Sequence, residues 1–180
     1  MKEKNRGFTF IELILIIAIA SILSGAAIYS LQLIKSVNVK GCVNDISSML
    51  NKVRLLSMTK KDKPNLYIYQ YNGAYYLKQQ YDDPDDPYDV ELDESGTLLS
   101  NDDIEIIGIV YADPTNITQE VNSTSYLTIK FKRSTGEILA DATDPFLNGN
   151  SPGYDCIRVT YKDMSYDIKF VKFTGKHYIE

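Results

Sequence analysis

From Leu13 to Ile34 the chain runs without a single Asp, Glu, Lys or Arg. Read as an α-helix, that run is roughly 33 Å long, close to the ~30 Å hydrocarbon thickness of a bilayer. It therefore predicts a membrane anchor, and whatever folds in water must be built from the residues beyond Ile34. A secretory signal also starts basic and turns apolar, but its centre is shorter, about 7 to 15 residues, and leads to a small-residue cleavage site. Here the run is longer, and an acid, Glu12, stands at its entrance. Lys2, Lys4 and Arg6 precede it, which holds the start of the chain in the cytoplasm and predicts that everything after the anchor lies outside.

Glu12 needs a reason to be there. An ionised group at the centre of a membrane helix costs roughly 3 kcal/mol even on lenient insertion scales, and such groups usually have partners. Near the helix end the carboxylate can snorkel to the headgroups and meets the favourable end of the helix dipole, a reading that requires no partner. The surrounding pattern supplies a sharper one. Lys4-Asn5-Arg6-Gly7-Phe8-Thr9-Phe10-Ile11-Glu12-Leu13, followed by the apolar helix, resembles the class III signal of type IV pilins and pseudopilins. That resemblance implies cleavage by a prepilin peptidase between Gly7 and Phe8 and N-methylation of Phe8. It also implies an assembly role for Glu12, whose carboxylate accepts the charged amino terminus of a neighbouring subunit. Many pilins carry a proline in the anchor; this chain has none between Met1 and Lys63, so Gly25 is the candidate for any local loosening.

Beyond Ile34 the helical rhythm persists while polarity rises. Val39, Val43, Ile46, Leu50, Val53 and Leu56 recur at spacings of four and three, with Lys40, Asn44, Asp45, Asn51, Lys52 and Arg54 mostly off that stripe. A continuous helix over about 8–60 is expected, closed by Lys60, Lys61, Lys63 and Pro64. The stripe must be buried, and strands come next in the chain to bury it. Tyr67, Tyr69 and Tyr71 alternate with Ile68 and Gln70, Asn72-Gly73 is a two-residue hairpin turn, and 74–80 returns. Ile104 to Tyr111 reads as a central strand. Leu127, Ile129 and Phe131 alternate with Thr128, Lys130 and Lys132, which predicts an antiparallel sheet with one wet face. After the Ser134-Thr135-Gly136 turn, 137–140 is a short strand, and 157–161 pairs with 166–173 across 162–165. Phe173 breaks the period of Tyr166, Ile168 and Phe170, suggesting a bulge near Val171.

The fold class is thus α+β: a long N-terminal helix, membrane-spanning in its first half and amphipathic in its second, packed on an antiparallel β-sheet head. The expected organisation is a cleaved leader 1–7, an apolar helix 8–34, an amphipathic helix 35–63 and a β head 64–180. The turn after Phe131 and two closing strands ending at Gly175-Lys176 loosely resemble the H-type minor pseudopilins. The implied function is a structural subunit, a minor pilin or pseudopilin, of a type IV pilus or a type II secretion-like filament. Its implied partners are the prepilin peptidase, other pilin subunits through their N-terminal helices, an inner-membrane assembly platform and, before assembly, membrane lipid. The implied location is a single-pass membrane protein whose head lies outside the cytoplasm, then a surface filament. The alternative is a monotopic, membrane-anchored extracellular binding protein that does not polymerise.

Composition narrows the rest. The formal net charge is −5, and a leader holding Lys2, Lys4 and Arg6 against Glu3 is basic, so the chain without it is more acidic still. Nucleic-acid binding through a broad basic surface is not supported. Cys42 and Cys156, the two cysteines, lie beyond the anchor and make a candidate disulfide. Against it, Cys42 falls near the buried helical stripe, whereas alternation puts Cys156 with Arg158 on the outer face of its strand. Asp82, Asp83, Asp85 and Asp86 crowd a loop with Pro84 and Pro87, a candidate cation site without the glycine-centred spacing of an EF-hand loop. No catalytic arrangement stands out. His177, the lone histidine, is expected to be exposed in a terminal strand, no phosphate-binding loop is present, and no cofactor is called for.

Overall fold

The computed structural model describes residues 10–81, 92–100, 104–111, 115–139, 153–171 and 173–180, with the side chains of 25–37 not among them. By contact the chain divides into two compact units, Met1–Val37 and Asn38–Glu180. One helix, α1 (Phe10–Thr59), contributes its first part to the former and its second to the latter.

In the second unit α1 forms because its apolar side chains recur at helical spacing and find a core. Val39, Cys42, Val43, Ile46, Leu50 and Val53 are all buried, while Lys40, Asn44 and Asp45 on the other side stay exposed. The stripe then departs from expectation. Leu56 is only half-buried, and Ser57 takes the next core position with its hydroxyl unpartnered.

Among the described residues the strands form two five-stranded antiparallel sheets, where the alternation suggests one. The first has the order β3 (Thr97–Ser100), β2 (Ala74–Tyr81), β1 (Pro64–Tyr71), β6 (Leu127–Phe131), β7 (Ile138–Leu139). The second runs β10 (Lys176–Ile179), β9 (Met164–Val171), β8 (Cys156–Tyr161), β4 (Glu105–Val110), β5 (Ile117–Glu120). Both sheets and the helical stripe feed one core: Leu66, Ile68 and Ile129 from the first, Ile106, Ile157 and Ile168 from the second. Fully burying each such side chain stabilises by about 1.5–3 kcal/mol.

Local chemistry explains the turns. Asn72 and Gly73 both adopt positive φ, at 49° and 80°, giving the mirror-image turn whose twist suits a hairpin, with Tyr71 opposite Ala74. The β8–β9 hairpin is tighter than the sequence suggests, with Tyr161 opposite Met164. Lys162 takes the positive φ there. Among the described residues no bulge occurs near Val171. Strand β9 ends at that residue and the chain turns back, Gly175 N donating to Val171 O at 2.9 Å, so Phe173 leaves the alternation because it has left the strand. The register shift lies instead between Tyr75 and Tyr76, against β3.

The wet face belongs to the second sheet. There Arg158 bridges both Asp167 carboxylate oxygens across β8 and β9, at 2.7 Å each, and Lys169 pairs with Glu180. The far face of the first sheet is dry instead. Tyr67 and Tyr69 are buried, Tyr69 stacks on Tyr76 with centroids 5.7 Å apart, and its hydroxyl donates to the Asp93 carbonyl at 2.6 Å. A buried polar tie links elements of both sheets: Tyr154 Oη donates to Gln119 Oε1 at 2.5 Å, and Gln119 Nε2 donates to the Tyr126 carbonyl at 2.8 Å.

At the C-terminal end of α1 the turns before β7 and β10 meet. Arg54 Nε donates to the Thr174 carbonyl at 2.6 Å, and Gly175, with φ at 59°, sits so close to Gly136 that any Cβ would overlap the Gly136 carbonyl oxygen. Gly41, in contrast, is a helical glycine with nothing within 4 Å of where a Cβ would stand. Denaturant unfolding should therefore separate them: Gly175→Ala should lose about 2–4 kcal/mol, through strain and overlap, whereas Gly41→Ala should gain about 0.5–1 kcal/mol.

Candidate assembly and processing site

The opening turns of α1 have no stripe at all. From Phe10 to Ser24 every residue is exposed, including Phe10 at 79%, Ile11 at 76% and Ile22 at 72%, and Glu12 is the sole charge. An amphipathic helix offers one apolar face, but one apolar on all sides must be surrounded, by lipid or by other helices. Its two serines fit such surroundings. Ser21 Oγ donates to the Ile17 carbonyl and Ser24 Oγ to the Ala20 carbonyl, each at 2.7 Å, so neither hydroxyl needs water. Sequence reading missed this; the cue was serine at i+4 from a helical carbonyl inside an apolar run.

Glu12 stands in the first turn of α1 and is exposed. Its position at the helix start places a negative charge where the dipole and the unpaired amide groups favour it. Gly7 and Phe8 lie outside the described residues. So do the side chains over the second half of the expected anchor, and among the described residues no helix is long and apolar enough to cross a membrane.

The other candidates do not come together. Cys42 and Cys156 are both buried and both free, which corrects the candidate bridge. Cys42 belongs to the core shared by α1 and the sheets, while Cys156 lies under Tyr111 beside Asp167 on the opposite face of the second sheet, so a β-layer separates the two sulfurs. Burial pushes the Cys42 thiol up to about 12, with Asp45 adding to the effect, and pushes Cys156 up to about 11, with Asp167 adding. Neither is a thiolate at neutral pH.

Asp82, Asp83, Asp85 and Asp86 lie outside the described residues. Of the acids after them in the chain, Asp93 and Glu94 are engaged locally. Asp93 accepts from Ser95 Oγ at 2.5 Å, Lys78 Nζ at 3.0 Å and Ser95 N at 3.1 Å, bonds that hold its carboxyl down to about 2. Glu94 accepts from Asn72 Nδ2 at 3.2 Å. Among the described residues no group of three His, Cys, Asp or Glu side chains converges as a metal site would require.

His177 is in the terminal strand, as expected, but it is half-buried rather than exposed. Its Nε2 lies 2.8 Å from Ser47 Oγ and 3.1 Å from the Ser47 carbonyl, and its ring meets Phe170 edge-on at 5.9 Å, docking β10 onto α1. Among the described residues no carboxylate is hydrogen-bonded to its ring, and its contacts join β10 to α1. A groove of about 240 Å³ beside Asp45, Met49, Lys52 and Leu77 is smaller than the usual ligand pocket of roughly 300–1,000 Å³.

Residues 2–28 match the family model of the prokaryotic N-terminal methylation motif. The chain carries a class III prepilin signal. That signal is consistent with the type IV pilin and pseudopilin family, supports a pilin-like protein processed as a prepilin, and points to a structural subunit rather than an enzyme. No curated protein and no solved structure matches the chain. The prepilin signal covers Gly7, Phe8 and Glu12 together with the first exposed turns of α1.

Two measurements check the buried groups. Iodoacetamide should label neither cysteine in the native protein at pH 8, should label both in urea, and reduction alone should not change the intact mass. For His177, burial first, and then the Arg54 charge, push the imidazole below its ordinary 6.5, against hydrogen bonds to the Ser47 and Gly175 backbone. The unfolded chain then binds a proton that the folded one resists, so His177 contributes fully above about pH 6.5 and less as the pH falls below it. Thermal unfolding should show the wild type losing more stability between pH 7.5 and pH 5 than His177→Gln does.

Proposed function

We propose that this chain is a minor pilin or pseudopilin: an inner-membrane prepilin cut between Gly7 and Phe8, methylated on Phe8, and assembled into a type IV pilus or type II secretion-like filament. The observation that carries the proposal is the methylation motif over residues 2–28, joined to a helix start whose apolar side chains are exposed all round and whose one charge is Glu12. In this reading 1–7 is a leader, 8–34 the membrane and filament-core helix, 35–63 the amphipathic helix of the head, and 64–180 the head in a pilin fold. Before assembly the chain is a single-pass membrane protein with its head outside, and lipid covers the helix; in the filament the helices of other pilin subunits replace lipid.

Glu12 gives assembly its register. Cleavage after Gly7 creates an ammonium group on Phe8, and the Glu12 carboxylate of a neighbouring subunit is its counter-charge. In a low-dielectric helix bundle each charge alone is costly and the pair is tolerable, so subunits that bring the two together are selected over those that do not. Energy for extrusion comes from an assembly platform and its ATPase, partners that the family supplies; the head contributes contacts between subunits or with a substrate.

The test is chemical and genetic. Intact mass and N-terminal sequencing of the protein from its native host should give a chain beginning at N-methyl Phe8. Glu12→Gln preserves size and removes the charge; membrane insertion should persist while incorporation into sheared filaments falls by roughly two orders of magnitude, the loss expected for stranding one member of a buried pair. Filaments that contain the chain with Met1 to Gly7 still attached, or wild-type incorporation of Glu12→Gln, would refute the proposal.

A further inference from the structure

Among the described residues strand β5 is an edge of the second sheet, paired with β4 alone, and the chain leaves it through a tight turn toward β6. Val121 anchors the exit: it is fully buried and its N donates to the Ile106 carbonyl at 2.9 Å. The next four residues close on themselves, Asn122 N donating to the Ser125 carbonyl at 2.9 Å and Ser125 N to the Asn122 carbonyl at 3.3 Å. Within this turn Asn122 Oδ1 accepts two hydrogen bonds from one residue, from Thr124 N and from Thr124 Oγ1, both at 2.9 Å. Asn122 is partly exposed, and Ser123 and Thr124 are exposed.

Asn122-Ser123-Thr124 is an Asn-x-Thr acceptor tripeptide with no proline at the middle position. From its geometry we infer that Asn122 is an acceptor for an N-linked glycan, delivered from a polyprenyl-(pyro)phosphate oligosaccharide by a membrane transferase outside the cytoplasm. The inference rests on the external placement of the head proposed above. An asparagine amide is a poor nucleophile because its nitrogen lone pair is delocalised into the carbonyl. Donors on Oδ1 draw electron density away and acidify the N–H, so an enzyme base can remove a proton as the nitrogen attacks. Here the turn uses Oδ1 for both of its bonds to Thr124, so the hydroxyl and the amide of one sequence motif are already in contact. In the transfer itself, the bond from Asn122 Nδ2 to the sugar anomeric carbon forms, and the bond from that carbon to the carrier phosphate oxygen breaks. The amide proton passes to the transferase base, and the polyprenyl (pyro)phosphate departs as the anion.

A second tripeptide, Asn116-Ile117-Thr118, gives an internal contrast. It runs straight into β5, where Thr118 is paired with Ile109 in the ladder. It has the residues without the turn, and remains unmodified. A glycan at Asn122 has a physical use: among the described residues β5 is an outer strand carrying exposed Ile117 and Thr118, and bulky polar cover beside such an edge opposes strand pairing between molecules.

The experiment is peptide mapping by mass spectrometry of the full chain purified from its native host, alongside Asn122→Asp, Thr124→Val and Asn116→Gln. Asn122→Asp keeps the oxygen that closes the turn and deletes the nucleophilic nitrogen, so its unfolding midpoint should match that of the unglycosylated wild type. Expected is a sugar mass on the peptide carrying Asn122, lost in Asn122→Asp and Thr124→Val and kept in Asn116→Gln. A bare Asn122 in the native protein, or a sugar mass that survives Asn122→Asp, overturns the inference. The N-terminal peptide of the same digest reports processing separately: N-methyl Phe8 with bare Asn122 refutes glycosylation alone, and retained Met1 with a glycan refutes the filament reading alone.

Discussion

Burial of one helical stripe organises the head. Val39, Val43, Ile46, Leu50 and Val53 present a continuous apolar ridge, and side chains from both sheets close around it in a single cluster. Leu66, Ile68 and Ile129 from the first sheet and Ile106, Ile157 and Ile168 from the second belong to that cluster, so the helix gives both sheets a shared apolar row at fixed spacing. Truncating a central member such as Leu50 would open a cavity felt by strands distant in sequence, at a cost of about 2–5 kcal/mol.

The same helix shows how context, not propensity, decides what a run of apolar residues does. Residues 39–53 bury one side and keep Lys40, Asn44 and Asp45 in water. Residues 10–24 expose isoleucines and leucines on every side, and their serines return their hydroxyls to the helix. No arrangement of a single face can cover the second pattern. That pattern calls for lipid or other helices around it, and the same residues fall within the matched methylation motif.

What the sequence made legible depends on how local the determinants were. Asn72-Gly73 specifies its turn with two adjacent residues, and the hairpin stands where expected. The helical stripe is a one-dimensional periodicity and was read almost to its end. Sheet number was not legible, because the pairing of β4 with β8 or of β1 with β6 joins residues some fifty or sixty apart and no short pattern encodes it. The short edge strands β3 and β5 carry too few alternations to separate from loop. The alternation of Tyr67 and Tyr69 with Ile68 was legible, but what covers their rings was not: Tyr67 meets Tyr126, and Tyr69 meets Tyr76 and the Asp93 carbonyl, partners distant in sequence or across a strand. For the site, the methylation motif over residues 2–28 was legible because it is a pattern of consecutive residues, whereas the separation of Cys42 from Cys156 depended on which face of a sheet each occupies.

The closing strand shows why terminal position alone is a poor guide to disorder. Four residues from the end, His177 is held by Ser47 and Phe170, and the backbone of Glu180 is paired in both directions with Asp167 at 2.9 and 3.0 Å. Arg54 reaches the turn that precedes the strand, and the Gly136–Gly175 approach leaves no room for that turn to shift. Each contact is modest, but they join the helix, the β6–β7 turn and the β9–β10 turn at one point. Displacing β10 would break the lateral support of β9, whose other neighbour, β8, carries the Arg158 side of the charged pair with Asp167. The last strand is therefore part of the fold's frame, and its opening is coupled to that of the helix and of both turns.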